Sequence, residues 1–172
     1  FKWYGELLHN ENIMSALYYT VVIALLASTI ATIIGTVTAI GIHNMKKGFG
    51  KNFLLNINYL PVLNPDIVTG IALMSLFIFI RPLTKLDFGF TTMLLAHITF
   101  NIPYVILSVL PKLKQLPANT TEAALDLGAT PFYALRKIII PQIKPGIMAG
   151  FLMAFTMSID DFVISFFTTG PG

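Results

Sequence analysis

LYYTVVIALLASTIATIIGTVTAIGI, residues 17–42, runs from Leu17 to Ile42 without one charged side chain. An α-helix needs roughly 20 such residues to cross a bilayer. Small residues recur along it at Ala24, Ser28, Ala31, Gly35 and Ala39. That spacing draws one stripe on a helix, where neighbouring backbones can approach closely. The stretch therefore predicts a membrane span packed against other spans, and the rest of the chain is read outward from it.

Composition agrees. Of the 172 residues, 55% are hydrophobic and 11% charged, with a mean hydropathy of +0.77. Soluble domains carry about 25% charged residues, so the solvent here is lipid. The net charge is +3, too weak a basic balance to indicate nucleic acid. With no cysteine in the sequence, disulfides, thiol catalysis and cysteine metal sites are excluded. His9, His43 and His97 are scattered without ligand spacing, so neither a metal nor another cofactor is expected. The chain begins at Phe1 and ends Gly170-Pro171-Gly172, which reads as a single membrane domain over residues 1–172, truncated at both ends.

Three more apolar stretches follow. In the second, residues 54–80, Asn64-Pro65-Asp66 reads as a helix start, with Asn64 as N-cap and Pro65 in the first position. The span is thus expected to be discontinuous, a form tolerated where it lines a cavity or is buried in protein. Asp66 either complements the helix dipole or faces a polar pathway. The third stretch, residues 91–110, places His97, Asn101, Tyr104 and Ser108 on one face. They serve either as interhelical glue or as a pathway wall. Pro103 is expected to kink this helix.

The fourth stretch, residues 145–168, carries Asp160 and Asp161. They lie about 22 Å along it at 1.5 Å per residue, beyond the midplane of a core about 30 Å thick. A charge at that depth costs ~2.5–3.5 kcal/mol on insertion scales, so at least one Asp must face a cavity or a fixed partner. On a continuous helix, Asp161 extends a stripe with Ala154, Ser158, Ser165 and Thr168, whereas Asp160 groups with Thr156, Ile164 and Phe167. The alternative is that one Asp bonds backbone at a helix break.

Eight of the eleven Lys and Arg residues lie between the first two or the last two spans: Lys46, Lys47 and Lys51, then Lys112, Lys114, Arg136, Lys137 and Lys144. Lys2, Arg81 and Lys85 fall on the other side. The excess marks the cytoplasm, so segments 46–51 and 112–144 are expected inside and 81–89 outside.

Segment 112–144 is ordered beyond what a connector needs. Asn119-Thr120-Thr121-Glu122 matches a capping box, and Gly128 matches a C-terminal glycine. Thr130-Pro131 starts a second short helix that Pro141 is expected to end. Such rigid placement suits a docking partner.

These residues carry a resemblance. Glu122-Ala123-Ala124, then Gly128, then Ile138-Ile139-Ile140-Pro141 resembles the EAA loop of bacterial ABC-importer permeases, with Ile140 where that family prefers Leu. Asn64-Pro65-Asp66-Ile67-Val68, His97-Ile98-Thr99-Phe100 and Ser158-Ile159-Asp160-Asp161-Phe162-Val163-Ile164-Ser165 look like the spermidine/putrescine (PotC-type) members. The resemblance covers the whole chain and implies an all-α polytopic transmembrane bundle of the type I importer kind, with four of six spans visible. It implies ATPase coupling through Glu122, Ala123, Ala124, Asp126, Gly128, Ile138 and Pro141. Separate ATP-hydrolysing subunits, a second permease subunit, an extracytoplasmic polyamine-binding protein and a bacterial plasma-membrane location are implied with it.

The residues themselves agree with carriage of a polycation. Asp160, Asp161 and Asp66 supply negative charge, Asn101 hydrogen bonds, and Tyr104 a ring face for a cation. Gly48-Phe49-Gly50-Lys51-Asn52 lacks P-loop spacing and the following Ser or Thr, so ATP must be hydrolysed elsewhere. A related permease for another small solute is the main alternative. An intramembrane aspartyl protease would need two carboxylates facing each other from different helices, and Asp160 and Asp161 are side by side.

Overall fold

The computed structural model describes residues 11–169 apart from Lys47, Leu86 and Ala118. Lys2 and Lys47, used above for orientation, and His9 lie outside the described residues. All regular structure among the described residues is helical: α1 (Glu11–Asn44), α2 (Phe49–Leu63), α3 (Asp66–Thr84), α4 (Phe90–Gln115), α5 (Thr120–Asp126), α6 (Pro131–Ala134), a π-helical turn (Leu135–Ile139), α7 (Ile140–Asp160) and α8 (Val163–Thr168). Four segments are long and apolar enough to cross a membrane: Glu11–Asn44, Asp66–Leu83, Phe90–Gln115 and Pro131–Asp160.

The small-residue stripe builds the core. Ala24, Ala27, Ser28, Ala31, Gly35 and Ala39 are all buried on α1. A Cβ at Gly35 would stand 2.7 Å from Val105 Cβ on α4, and one at Gly150 of α7 would stand 3.3 Å from Val105 Cα. Val105 is thus held between two glycines, and α1, α4 and α7 meet there at backbone distance. In lipid this close approach, with its dispersion contacts, drives association, because tails are as apolar as leucine. Ile42, Leu113 and Ile143 join one end of this cluster, whereas Tyr19, Ile23, Phe90 and Met93 meet at the other. Hence α1 and α4 run parallel and α7 runs against both. Large apolar side chains such as Tyr18, Ile33, Val37 and Phe79 point outward.

The second span is split as its sequence predicts, with two differences. Asn64 and Pro65 are extended (φ −81°, ψ 143° and φ −59°, ψ 139°), and α3 starts at Asp66. The cap falls one residue later than expected, on Pro65, whose carbonyl accepts from Val68 N–H at 2.9 Å. Asn64 makes no side-chain cap, and Pro61 lies inside α2 rather than before the break.

The connector expected on the cytoplasmic side is shorter and more helical than residues 112–144. α4 continues to Gln115, past Pro103 and Pro111, so Lys112 and Lys114 lie in its last turn. Pro141 does not end a helix. The helix begun at Thr130-Pro131 continues to Asp160, 30 residues in all, or about 45 Å at 1.5 Å per residue. Pro141 lacks an N–H and crowds the carbonyl four residues back. The π turn directly before it, where Ile140 N–H reaches Leu135 O, is the kind of local widening that relieves a proline inside a span. On α2's side, Lys51 Nζ donates to the carbonyls of His43 (2.9 Å) and Met45 (3.1 Å), closing the C-terminus of α1.

Candidate functional site: two helix breaks and a capped cytoplasmic turn

The fourth stretch is not one helix. α7 stops at Asp160, Asp161 is extended (φ −77°, ψ 99°), and α8 starts at Val163. Asp161 Oδ1 accepts from Ile164 N–H at 3.0 Å, so the carboxylate caps the second half. The stripe joining Asp161 to Ser158 and Ser165 on a continuous helix is therefore replaced by a kinked polar cluster.

The two breaks are neighbours. α3 packs on α8: a Cβ at Gly70 would meet Phe167 at 3.0 Å and Val163 at 3.6 Å. Leu73, Phe77, Phe100, Tyr104 and Ile164 share one cluster beside them. Both helices thus begin at the level of Phe100, about 15 Å into α4 from Phe90 at 1.5 Å per residue. Asp66, Asp160, Asp161, Phe100 and Phe162 line a cavity of about 130 Å³. A second cavity of about 220 Å³ lies on the other side of Asp160 and Asp161, against His97, Ser158 and Ser165. The N-termini of α3 and α8 carry the positive end of the helix dipole, which favours the carboxylates of Asp66 and Asp161 beside them.

The expected site residues separate here. Asp66 and Asp160 are exposed, and the Asp161 side chain is only 6% exposed. Asn101 is fully buried and donates from Nδ2 to Ser158 Oγ at 3.1 Å, so it joins α4 to α7. Tyr104 is packed against Phe100, ring centroids 5.2 Å apart. The ring on the cavity wall is Phe100 instead, because Tyr104 lies one turn further along α4 within the apolar cluster. Ser108 turns back on its own helix, bonding Tyr104 O at 2.9 Å. Sequence reasoning missed the convergence of Asp66 with the aspartate pair. It also missed the bond of His97 to both sides of the break, 2.9 Å to Ser158 Oγ and 3.0 Å to Ser165 Oγ. The available signal was that a histidine in an apolar run must satisfy two ring nitrogens. Among the described residues, no cluster of three His, Asp or Glu could hold a metal.

Between the last two candidate spans, α5 ends in a Schellman motif: Ala129 N–H bonds Ala124 O (3.0 Å), and Gly128 N–H bonds Leu125 O (2.9 Å). Gly128 has φ +84°, the left-handed conformation its position requires. The capping box does not form. Asn119 sits at φ −93°, ψ 6° with no side-chain bond, whereas a cap needs extended backbone to swing its oxygen over the helix end. Thr130 does cap, accepting from Tyr133 N–H at 3.3 Å. Glu122, Ala123 and Asp126 are exposed, Ala124 is buried, Ile138 is half-buried and Pro141 is exposed on the long helix. Ala124, Leu127, Gly128, Tyr133 and Ile138 line a concavity of about 470 Å³. Leu127 is 90% exposed at its edge.

Fold and site together define a multi-pass helical membrane protein in which two helices begin side by side at breaks in the chain, with an ordered turn between its last two candidate spans. The chain belongs to the family described as binding-protein-dependent transport system inner membrane component, whose model matches residues 31–172. It is similar to the spermidine/putrescine transport system permease protein PotC of Escherichia coli K12, 39% identical over 170 residues. The putrescine transport system permease protein PotI of the same strain is 39% identical over 173 residues. Each alignment takes in 99% of this chain and 62% of the relative. PotC of Haemophilus influenzae is 37% identical over 169 residues, 98% of this chain and 64% of that protein. The chain thus spans a little under two thirds of the length of these relatives, which are transport permeases and not enzymes.

Proposed function

We propose that this chain is the membrane-spanning part of a permease subunit of an ATP-binding-cassette importer that carries polyamines across the bacterial inner membrane. The observation that carries the reading is the convergence of Asp66, Asp160 and Asp161 on one cavity at the two helix breaks. Spermidine and putrescine are polycations, and carboxylates inside a membrane-spanning bundle are costly unless matched by charge. Asp161 Oδ2 is buried with no hydrogen-bond partner, which suits a site that receives an ammonium donor. Phe100 and Phe162 add aromatic faces for a cation. The names of the relatives support the same cargo.

Import against a gradient needs energy that the described residues have no site to supply. ATP is hydrolysed by separate subunits that dock on the turn from Glu122 through Ala123, Ala124 and Asp126 to Gly128, with Ile138 and Pro141 on the helix behind it. The exposed Leu127 and the concavity beside it support such docking. A second permease subunit completes the pathway, an extracytoplasmic polyamine-binding protein delivers cargo, and lipid covers the outer faces. The turns at Lys46 and Gly128 face the cytoplasm, and Lys85 faces outward.

The test is uptake of labelled spermidine and putrescine by the complete transporter in proteoliposomes. Asp161→Asn should keep assembly and basal ATP hydrolysis while losing most uptake. Unchanged uptake in Asp66→Asn, Asp160→Asn and Asp161→Asn, singly and combined, would remove the pathway and much of the case for a polyamine.

A further inference from the structure

A break between α7 and α8 leaves two helical pieces that the backbone alone does not hold in register. His97, 1% exposed on α4, touches both. Its Nδ1 is 2.9 Å from Ser158 Oγ on α7, and its Nε2 is 3.0 Å from Ser165 Oγ on α8. The neighbouring bonds decide where the ring proton sits. Ser165 spends its hydroxyl proton on Asp161 O at 2.9 Å, so toward His97 its oxygen only accepts. Nε2 therefore carries the proton. Nδ1 is bare and accepts from Ser158 O–H, and Ser158 Oγ in turn accepts from Asn101 Nδ2 at 3.1 Å. With the Ser165 hydroxyl turned to Asp161 O, this neutral tautomer is the one assigned, and it serves both ring nitrogens while Asn101 Oδ1 stays without a partner.

Asp161 is fixed by the same chain. Its carbonyl takes the Ser165 proton, its Oδ1 caps Ile164, and its Oδ2 lies 4.0 Å from His97 Nε2. Together they hold the carboxylate, its Oδ2 buried and without a hydrogen-bond partner, beside the cavity that Asp161 lines with His97 and Ser158. A rotation at the break would swing that oxygen away: Asp161 N–H still bonds Met157 O at 3.1 Å, but its backbone is extended (ψ 99°), so side-chain bonds set how the second piece sits on the first.

We infer that His97 is the positioning residue for Asp161: as the Nε2–H tautomer it clamps Ser158 to Ser165 across the helix break and so sets the direction of the carboxylate. Its bearing on cargo rests on the reading of Asp161 as a polyamine contact; the clamp itself does not.

Two substitutions separate the two ring positions. Gln at position 97 can place an amide N–H near Nε2 and keep the Ser165 link, whereas Asn reaches only the Nδ1 position. In the complete reconstituted transporter, His97→Asn should raise the half-saturating polyamine concentration on the order of tenfold, the scale of a lost charge-linked hydrogen bond. Maximal rate should stay near wild type, thermal stability should fall modestly through the lost buried bond, and His97→Gln should restore affinity. Ser165→Ala cuts the same link from the other end. It should match His97→Asn, and the double variant should be no worse than either single one. A reporter at a residue outside the cargo cavity is Phe166→Cys, 62% exposed on α8 just past the break, in a sequence without other cysteines. Its thiol should react faster in the His97→Asn background and at the wild-type rate with His97→Gln. Faster labelling in a transporter that moves no polyamine would support the clamp and sink the cargo assignment. Equal labelling in all backgrounds, or a fall in stability and maximal rate with unchanged half-saturation, would overturn the clamp.

Discussion

The bundle holds its helices together in two different ways. Around Val105, three helices touch at van der Waals distance through Gly35, Gly150 and a row of alanines. Around Asp161, α4, α7 and α8 meet through hydroxyls, an imidazole, an amide and a carboxylate. The first contact tolerates no added volume but is indifferent to bond direction. The second has space beside it, two small cavities, and depends on which atom carries each proton. A transporter needs both kinds. The close-packed part can move as a unit, and the hydrogen-bonded part can exchange partners when a charged solute arrives.

The comparison is easiest to break in the close-packed part. Gly35→Leu would drive a side chain into Val105, whose Cβ is 2.7 Å from where the first added atom would stand. Overpacking costs about 1–3 kcal/mol where neighbours can shift, and backbone-close contacts on both sides of Val105 leave little room. Gly35→Leu should therefore give the largest loss of all, seen as failure to recover folded protein in detergent or a strongly lowered melting temperature. Gly41→Leu, at a glycine of the same helix with no atom within 4 Å, is the control and should melt near wild type. Equal behaviour of the two would mean that the α1–α4–α7 contact is not what holds the bundle.

The next effect is smaller and lies outside the membrane. Gly128 sits at φ +84°, where a β-carbon costs roughly 1–2 kcal/mol. Gly128→Val should unravel the Schellman bonds from Ala129 and Gly128 to α5, weakening recovery of the ATPase subunit with the permease. Thermal unfolding of the membrane part should shift little, because neither contact region includes this turn. Normal co-purification of the ATPase with Gly128→Val would detach the turn from coupling.

Legibility in the sequence follows the same division. Close packing was readable because it needs one property, small size, repeated along a helix; Ala24 to Ala39 met that demand and are buried. The break at Pro65 was readable because proline and its neighbours carry local rules. Gly128 and Thr130 likewise showed their caps, for positive φ and side-chain capping are local chemistry. Pro141 misled for a physical reason: a proline ends helices in water, but inside a long span a π turn absorbs it. The break at Asp161 carries no proline or glycine. It is stabilised by His97, 64 positions earlier in the numbering, through Ser158 and Ser165. Such a pairing has no period, so spacing along the chain gave the residues without their geometry. Asn101 and Tyr104 show the same limit: their shared face was visible, and which neighbour each met was not.

The smallest predicted effect sharpens the comparison most, because it separates shape from charge at one atom pair. Asp161 Oδ1 caps α8 by accepting from Ile164 N–H at 3.0 Å. Asn caps a helix about as well as Asp, whereas Ala cannot, at a cost of typically ~1 kcal/mol. In melting experiments on the detergent-solubilised protein, Asp161→Asn should therefore lie within a few tenths of a kcal/mol of wild type. Asp161→Ala should be lower by about 1 kcal/mol, the value of the lost cap. Polyamine uptake should order differently, with both variants losing most of it, because both remove the carboxylate charge. A drop of several kcal/mol in Asp161→Asn would mean that the charge itself stabilises the break, for instance through a cation from a neighbouring subunit. The contrast with the glycine-lined core would then move from directed bonds to buried charge.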